Sequence, residues 1–241
     1  MKTTICSVLA LGAVCLLAGC ETTGLSSHDR AGVSYPRYIL GLQPKAAQHP
    51  PQKLAAPIRL AVAQVGESSP PRNMMDKLER NPRLIVSVVG LPLPGEPSGN
   101  YYGSRAEEKD HPEDFAAKIK TICGVAQSVG ADYLFLFGGN IDSWQNRNGL
   151  AFLDFTIIGG AIIPSAKIHC ESKAAGVLIE TATGEPVLFA NVEGKRSGYS
   201  PSYLADGKAN TLRASLRDEM AGDLAAEFSQ KLAARISAEN K

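Results

Sequence analysis

Residues 112–141 read PEDFAAKIKTICGVAQSVGADYLFLFGGNI and hold the clearest structural signal in the chain. Pro112 suits the first turn of a helix, and the two acidic residues after it favour the positive end of the helix dipole. Gly130 is a suitable residue to end the helix, and Tyr133–Ile141 then reads as an apolar strand. The helix should turn one apolar stripe to the core, formed by Phe115, Ile119, Ile122, Ala126 and Val129, with Cys123 beside them.

Three further elements are predicted on the N-terminal side of this stretch. Ile58–Val65 alternates apolar and polar residues and predicts a strand, and about Arg72–Glu79 predicts a short helix. Leu84–Val89 is rich in β-branched residues, which predicts a strand buried on both faces. A long loop is expected over Pro92–Asp110.

On the C-terminal side, a polar turn is expected around Trp144. Ala182–Glu185 predicts a hairpin turn, and Lys195–Gly207 predicts a loop because it is rich in Gly, Ser and Pro. Strands are predicted at Leu150–Ile163, Ala174–Glu180 and Val187–Val192.

The last helix, about Asn210–Ile236, carries apolar residues at four-residue intervals. Each such step overshoots a full turn by about 40°, so the row winds around the helix. One flat sheet cannot cover the whole row, and Leu232 and Ile236 at its distal end are then either exposed for a partner or wrapped by another segment. A bent helix on a twisted sheet is the simpler alternative. The row consists of Leu212, Leu216, Met220, Leu224, Phe228 and Leu232.

This order of elements predicts an α+β domain over residues 58–237. We expect a mixed sheet of about five or six strands, with two or three helices packed on it and a long helix at the C-terminus. About 180 residues are enough to bury one core.

The N-terminus predicts export and lipid attachment. Lys2 is followed by the uncharged apolar run Ile5–Leu17, which is too short to span a bilayer. Leu17–Cys20 reads LAGC and resembles the lipobox of bacterial lipoproteins. The resemblance implies that residues 1–19 are a signal peptide and that Cys20 carries the lipid. An ordinary secretory signal is the alternative.

Residues 20–57 then read as the lipidated cysteine and a flexible tether rich in Ser, Gly, Pro and Ala. Glu21 after the cysteine favours the outer membrane, because aspartate at that position retains enteric lipoproteins in the inner membrane. The domain would face the periplasm.

The charge balance argues against nucleic acid as a partner. The chain has 25 basic and 24 acidic residues, and the signal peptide removes one lysine. A neutral protein lacks the electrostatic footprint of a nucleic-acid binder.

Two cysteines, Cys123 and Cys170, remain after lipidation of Cys20 and loss of the signal peptide. They could form a disulfide in an oxidising periplasm, or both could be buried thiols. His169, Cys170 and Glu171 are adjacent, but neighbours on a strand point to opposite faces, so at most two could share a metal. We therefore expect no metal and no cofactor. The sequence lacks the common nucleophile, phosphate-binding and zinc motifs, and we expect no enzyme.

Two stretches carry a family resemblance. Residues 131–133 (ADY), with residues 177–187 (VLIETATGEPV), resemble a pattern in the TolB amino-terminal domain and the curli secretion lipoproteins. Residues 156–164 (TIIGGAIIP), with Leu212–Arg213 and 216–218 (LRD), resemble the rhombotarget lipoproteins. The resemblance implies a non-enzymatic envelope lipoprotein and supplies no catalytic residues.

The preferred hypothesis is a membrane-anchored accessory factor that binds another envelope protein. Aromatic residues in loops often mark such interfaces. A subunit of a secretion channel and an unrecognised hydrolase are the alternatives. The candidate partner surface comprises Tyr101, Tyr102, Trp144, Tyr199 and Tyr203, with Leu232 and Ile236.

Overall fold

The computed structural model describes residues 54–65, 69–92, 112–147 and 163–239. The predicted signal peptide, Cys20 and most of the tether lie outside these residues. The same is true of Tyr101, Tyr102 and residues 150–162 of one predicted strand.

A five-stranded mixed sheet with three helices confirms the predicted α+β class. The sheet order is β2-β1-β3-β4-β5, and β1 runs parallel to both of its neighbours. The five residues between β4 and β5 are too few for a parallel crossover, so these strands are antiparallel. The elements are β1 Ile58–Gln64, α1 Arg72–Glu79, β2 Ile85–Gly90, α2 Pro112–Ser128, β3 Tyr133–Arg147, β4 Ala166–Glu180, β5 Pro186–Ser200 and α3 Ala205–Glu239, with a 3-10 turn at Ser202–Leu204.

The described residues form two compact units. Residues 143–147, 163–170 and 196–213 form a smaller unit, and the other described residues form a larger one. The strands β3, β4 and β5 and the helix α3 each contribute residues to both units.

The core of the larger unit has α2 on one sheet face and α3 on the other. On the first face, Ile119, Cys123 and Ala126 pack against alternate residues of the strands, among them Leu134 and Leu136. The intervening Phe135 points the other way, and its ring centroid lies 4.3 Å from that of Phe228 on α3. The predicted core position of Cys123 is confirmed. Val129 is 46% exposed, because α2 ends at Ser128 and the chain turns away through Gly130 at φ 81°.

Asp132 of the ADY motif joins three parts of the fold through hydrogen bonds. The Asp132 carboxylate accepts two hydrogen bonds from the Arg59 guanidinium, at 2.9 and 2.6 Å. The Asp132 amide donates to the Arg59 carbonyl, and the Asp132 carbonyl accepts from the Thr181 amide, each at 3.0 Å. The hydrogen bond from Arg59 lowers the pKa of Asp132. This motif is therefore structural, since it links β1, β3 and the turn after β4.

Three sequence predictions about the strands were wrong. The strand β2 is not buried on both faces, because it lies at the sheet edge and Val86 is 58% exposed. The residues around Trp144 are not a turn, since β3 continues to Arg147. Residues Lys195–Gly207 are not one loop, because β5 runs to Ser200 and α3 begins at Ala205.

The distal end of α3 is buried, which contradicts the prediction of an exposed end and agrees with the alternatives of a wrapped end or a bent helix on a twisted sheet. Leu232 is 0% and Ile236 is 8% exposed. One segment that reaches this end is the start of the described chain, where the Leu54 amide donates to Glu239 Oε2 at 2.6 Å.

Among the helices that the structure describes, none has both the length and the hydropathy of a membrane span.

Candidate partner-binding surface

The structure separates the predicted surface residues into three groups. Tyr101 and Tyr102 lie outside the described residues. Leu232 and Ile236 are buried in the larger unit, so their prediction as a partner surface was wrong. The remaining three, Trp144, Tyr199 and Tyr203, all belong to the smaller unit.

One face of the sheet in the smaller unit is covered by the first turns of α3. Ile168 and Cys170 point to this face and are each 1% exposed. Arg213 on α3 donates from Nε to Ser143 Oγ at 2.9 Å. A Cβ at Gly198 would lie 3.3 Å from Leu212 Cδ1, so the helix rests directly on the strand backbone.

Among the described residues of the smaller unit, no helix covers the opposite face of the same strands, and this face carries paired side chains. Strand residues two apart share a face, which places Lys167 and His169 together, opposite to the buried Ile168 and Cys170. The rings of Trp144 and His169 stack at 5.4 Å between centroids, with 11° between their planes. Lys167 Nζ lies 5.7 Å from the centroid of the Tyr199 ring. We call Trp144, Lys167, His169 and Tyr199 the aromatic face.

Further apolar exposure follows directly along the chain. Tyr199 is 59% exposed, and Tyr203 and Leu204 in the 3-10 turn are 66% and 48% exposed. A hydrogen bond of 2.7 Å between the hydroxyls of Ser165 and Ser202 connects the start of this turn to the residue before β4. Tyrosine and tryptophan are enriched at protein interfaces, so this exposure suits a contact surface.

The smaller unit is also basic. Its described residues include five basic side chains, Arg147, Lys167, Arg196, Lys208 and Arg213, and one acidic side chain, Asp206. Their formal net charge is +4. The whole chain is almost balanced, with 25 basic and 24 acidic residues. This excess had no signal in the sequence, because the residues come from three separate segments.

Cys123 and Cys170 are both free and both buried, so the disulfide that the sequence allowed is not formed in the structure. Burial raises the pKa of each thiol; for Cys170 the nearby charge of Arg213 opposes this effect. His169 and Glu171 lie on the other side of β4 from Cys170. Among the described residues, no three His, Cys, Asp or Glu side chains gather as a metal site.

A cleft lies between the sheet and α3 in the larger unit. Its volume is about 60 Å³, and it is lined by Gln64, Phe137, Asn140, Lys173, Arg217 and Met220 among others. This volume holds about two water molecules, whereas sites for drug-sized ligands occupy roughly 300–1,000 Å³. The lining residues include no histidine, cysteine, aspartate or glutamate, so the cleft offers no general base of those types.

Comparison with known proteins gives distant structural likenesses. No protein-family model matches the chain, and no curated protein sequence matches it. The chain is similar to the PelC dodecamer of Paraburkholderia phytofirmans, at 13% identity over 73% of this chain and 90% of that one, with a TM-score of 0.32. A single-substitution variant of that dodecamer gives 12% identity over 73% and 91%, with a TM-score of 0.33.

The chain is also similar to a candidate lipoprotein of Caulobacter crescentus CB15. The identity is 12% over 52% of this chain and 82% of that one, with a TM-score of 0.28. These TM-scores are too low to establish a shared fold. The resemblance to the rhombotarget, TolB and curli families stays a prediction.

Proposed function

We propose that this protein is a lipid-anchored envelope lipoprotein that works by binding another envelope protein, as an accessory factor in assembly, and not by catalysis. The observation that carries the proposal is the exposure of Tyr199 on the aromatic face, and of Tyr203 and Leu204 that follow it in the chain, in a basic unit of an almost neutral chain. Such exposure costs free energy in water and is stabilised when a partner covers it.

The composition of this surface fits an interface better than a reaction site. Tryptophan and tyrosine dominate the binding energy of interfaces, and here Trp144 and Tyr199 come from separate strands to one face. The stacking of Trp144 on His169 and the cation–π contact of Lys167 with Tyr199 limit the rotamers of both rings before binding. Less side-chain entropy is then lost when the partner docks.

The N-terminal sequence supports the anchored location. Lipid on Cys20 would hold the domain at the membrane, and two or more acyl chains anchor stably where one does not. If the segment of about 37 residues before the domain is the flexible tether that the sequence predicts, its typical reach is near 35 Å. The domain could therefore contact a partner near the bilayer, and Glu21 favours the outer membrane.

Two measurements test the proposal. Radioactive palmitate should label the protein in growing cells and should not label Cys20→Ser. A photo-reactive benzoylphenylalanine placed at Tyr199 should form adducts with an envelope protein on illumination. The same group at Val125 on α2, which is 45% exposed in the larger unit, is the control.

Loss of the palmitate label in the unaltered protein would contradict the anchor. Adduct formation at Tyr199 no stronger than at Val125 would contradict the binding surface.

A further inference from the structure

Exposed apolar and basic side chains also lie together at one end of the smaller unit, next to the aromatic face. We infer that this end rests on a bilayer that contains anionic phospholipid. Tyr203 and Leu204 enter the headgroup region, and the basic side chains around them pair with lipid phosphates. The inference rests on the lipid anchor of the proposed function, and it leaves Trp144 and Tyr199 on the aromatic face to the protein partner.

Three strands terminate at the same level in this unit. The beginning of β3 contacts the end of β4 and the end of β3 contacts the beginning of β4, so these two strands are antiparallel. Trp144 stacks on His169, and three residues further along β3 ends opposite the first residue of β4. The contact of Lys167 with Tyr199 likewise places the first residue of β4 beside the last residue of β5. The three strand termini therefore form one end of the sheet.

The connection from β5 to α3 lies at this end and carries the apolar side chains. It contains the 3-10 turn, which a hydrogen bond between Ser202 and Ser165 joins to the residue before β4. Tyr203, at 66% exposure, is the most exposed large apolar side chain of the described residues, and Leu204 follows it at 48%. Side chains that project from a turn at the end of a sheet can enter a bilayer without any rearrangement of the strands.

Basic side chains border this end on both sides of the sheet. Arg147 is the last residue of β3, Lys167 is the second residue of β4, and Lys208 lies in the first turn of α3. Strand alternation places Arg147 on the side that α3 covers and Lys167 on the opposite side. Within three residues of these strand and helix termini, the described chain has these three basic residues and one acidic residue, Asp206, a formal charge of +2. A bilayer meets both sides of a sheet end at once, so all three basic side chains can reach it.

This combination favours an anionic bilayer as the occupant. Tyrosine is enriched at the level of the lipid headgroups, and apolar side chains beside lysine and arginine are typical of proteins that lie in the interface. Each basic side chain near an anionic surface strengthens binding about fivefold. Two apolar side chains and a small positive charge would hold a free domain only weakly. Lipid on Cys20 would keep the domain close to the bilayer at all times, so a weak contact is enough to orient it.

Quenching of tryptophan emission by brominated phospholipid tests this contact. Leu204→Trp is combined with Trp144→Phe, so that the single tryptophan of the chain lies in the turn. Leu204 is exposed, and phenylalanine keeps an aromatic ring beside His169, so both changes should preserve the fold. The lipidated variant is reconstituted into brominated vesicles of phosphatidylcholine, with or without phosphatidylglycerol. No other protein is present, so quenching reports on the bilayer alone.

We expect bromine to lower the emission of the turn tryptophan by about half in the anionic vesicles, because interfacial side chains lie about 5–10 Å deep. Quenching should be much weaker in the zwitterionic vesicles. The parent protein is the control, since its single tryptophan, Trp144, lies about 10 Å from the end of β3. The emission of Trp144 should not change.

Charge reversal locates the contact. Lys208→Glu, added to the turn-tryptophan variant, should shift the docking equilibrium about thirtyfold towards the undocked state, because one favourable charge is lost and one unfavourable charge is added. Lys118→Glu makes the same change at an exposed position of α2 in the larger unit and should leave the quenching unchanged. Higher salt should also reduce the quenching, because it screens the charges.

Equal quenching in the two kinds of vesicle, or none in the anionic vesicles, would overturn the inference. So would quenching of Trp144 as strong as that of the turn tryptophan, because the aromatic face and not the end of the sheet would then contact the bilayer. If the Tyr199 adducts with another protein form but the turn tryptophan is not quenched, the binding function stands and only this inference is wrong.

Discussion

The close contact between Gly176 and the Phe135 ring gives a sharp prediction of stability. A Cβ at Gly176 would lie 2.3 Å from Phe135 Cζ and 2.5 Å from Cε2. The ring cannot retreat, because it is fully buried and the tilted ring of Phe228 packs against it, with 4.3 Å between the centroids. The neighbouring Phe137 Cβ would lie 3.1 Å away, which leaves no lateral room. Gly176→Ala must therefore displace a buried aromatic ring.

Overpacking of this kind costs typically 1–3 kcal/mol. Since the Phe135 ring is held from the other side, we expect Gly176→Ala to lower the free energy of unfolding by about 2–3 kcal/mol. With a urea slope of about 2 kcal/mol per molar, the unfolding midpoint should fall by about 1–1.5 M. Urea unfolding followed by far-ultraviolet circular dichroism measures this shift.

Two controls separate the steric effect from the change of residue type. Gly124→Ala on α2 meets no atom within 4 Å, so it should raise stability by about 0.5–1 kcal/mol through the better helix propensity of alanine. Combining Gly176→Ala with Phe135→Leu should cost less than the sum of the two changes, because the smaller side chain frees the space. A midpoint for Gly176→Ala at or above that of the parent protein would refute the packing argument.

Three further outcomes follow from burial and charge. Leu232→Ala should lower the free energy of unfolding by about 2–5 kcal/mol, because the Leu232 side chain is fully buried. The control Leu204→Ala, at a residue that is 48% exposed, should change this free energy by less than about 1 kcal/mol. Similar losses for the two variants in urea unfolding would contradict the burial of the distal end of α3. Cys123 and Cys170 should react slowly with a thiol reagent at pH 8 in the folded protein, since burial raises the pKa of both thiols. Both should react at once in denaturant without a reducing agent, because both are free thiols. If neither reacts in denaturant, the two cysteines form a disulfide. The pKa of Asp132 is lowered in the folded state, so its carboxylate stabilises the fold at a pH above its ordinary pKa of 3.8. This stabilisation is lost as the pH falls through the lowered pKa of the folded state. Asp132→Asn should therefore be less stable than the parent at pH 7, and thermal unfolding should show that this difference shrinks towards pH 2.

Local sequence patterns predicted the elements whose neighbours are close in the chain. The bounds of α1 were predicted to the residue, and those of β1 to within one. The core-facing position of Cys123 followed from the spacing of apolar residues along α2. These predictions succeeded because helix periodicity and strand alternation depend on which residues face one nearby core.

Features that depend on distant parts of the chain were missed. The β-branched run of β2 has the composition of a central strand, but the edge position that exposes Val86 depends on sheet order. The polar residues around Trp144 resembled a turn, because one face of the sheet there carries polar side chains and no helix of the described residues covers it. The apolar row of α3 allowed both an exposed and a covered distal end, and the burial of Leu232 depends on the opposite sheet face. Trp144 and Tyr199 were each predicted as surface residues, but their placement on one face depends on strand register.

The edge strand β5 has a consequence for how copies of this protein coexist. It has β4 as its one neighbour in the described sheet and is 15 residues long, so it offers a long row of backbone groups to any free strand. Along this strand, Glu193, Lys195 and Arg196 carry charges of both signs. Charged side chains on an edge oppose aggregation. Confinement to a two-dimensional layer by a lipid would raise the local concentration greatly, and these three residues would then keep neighbouring molecules from polymerising edge to edge.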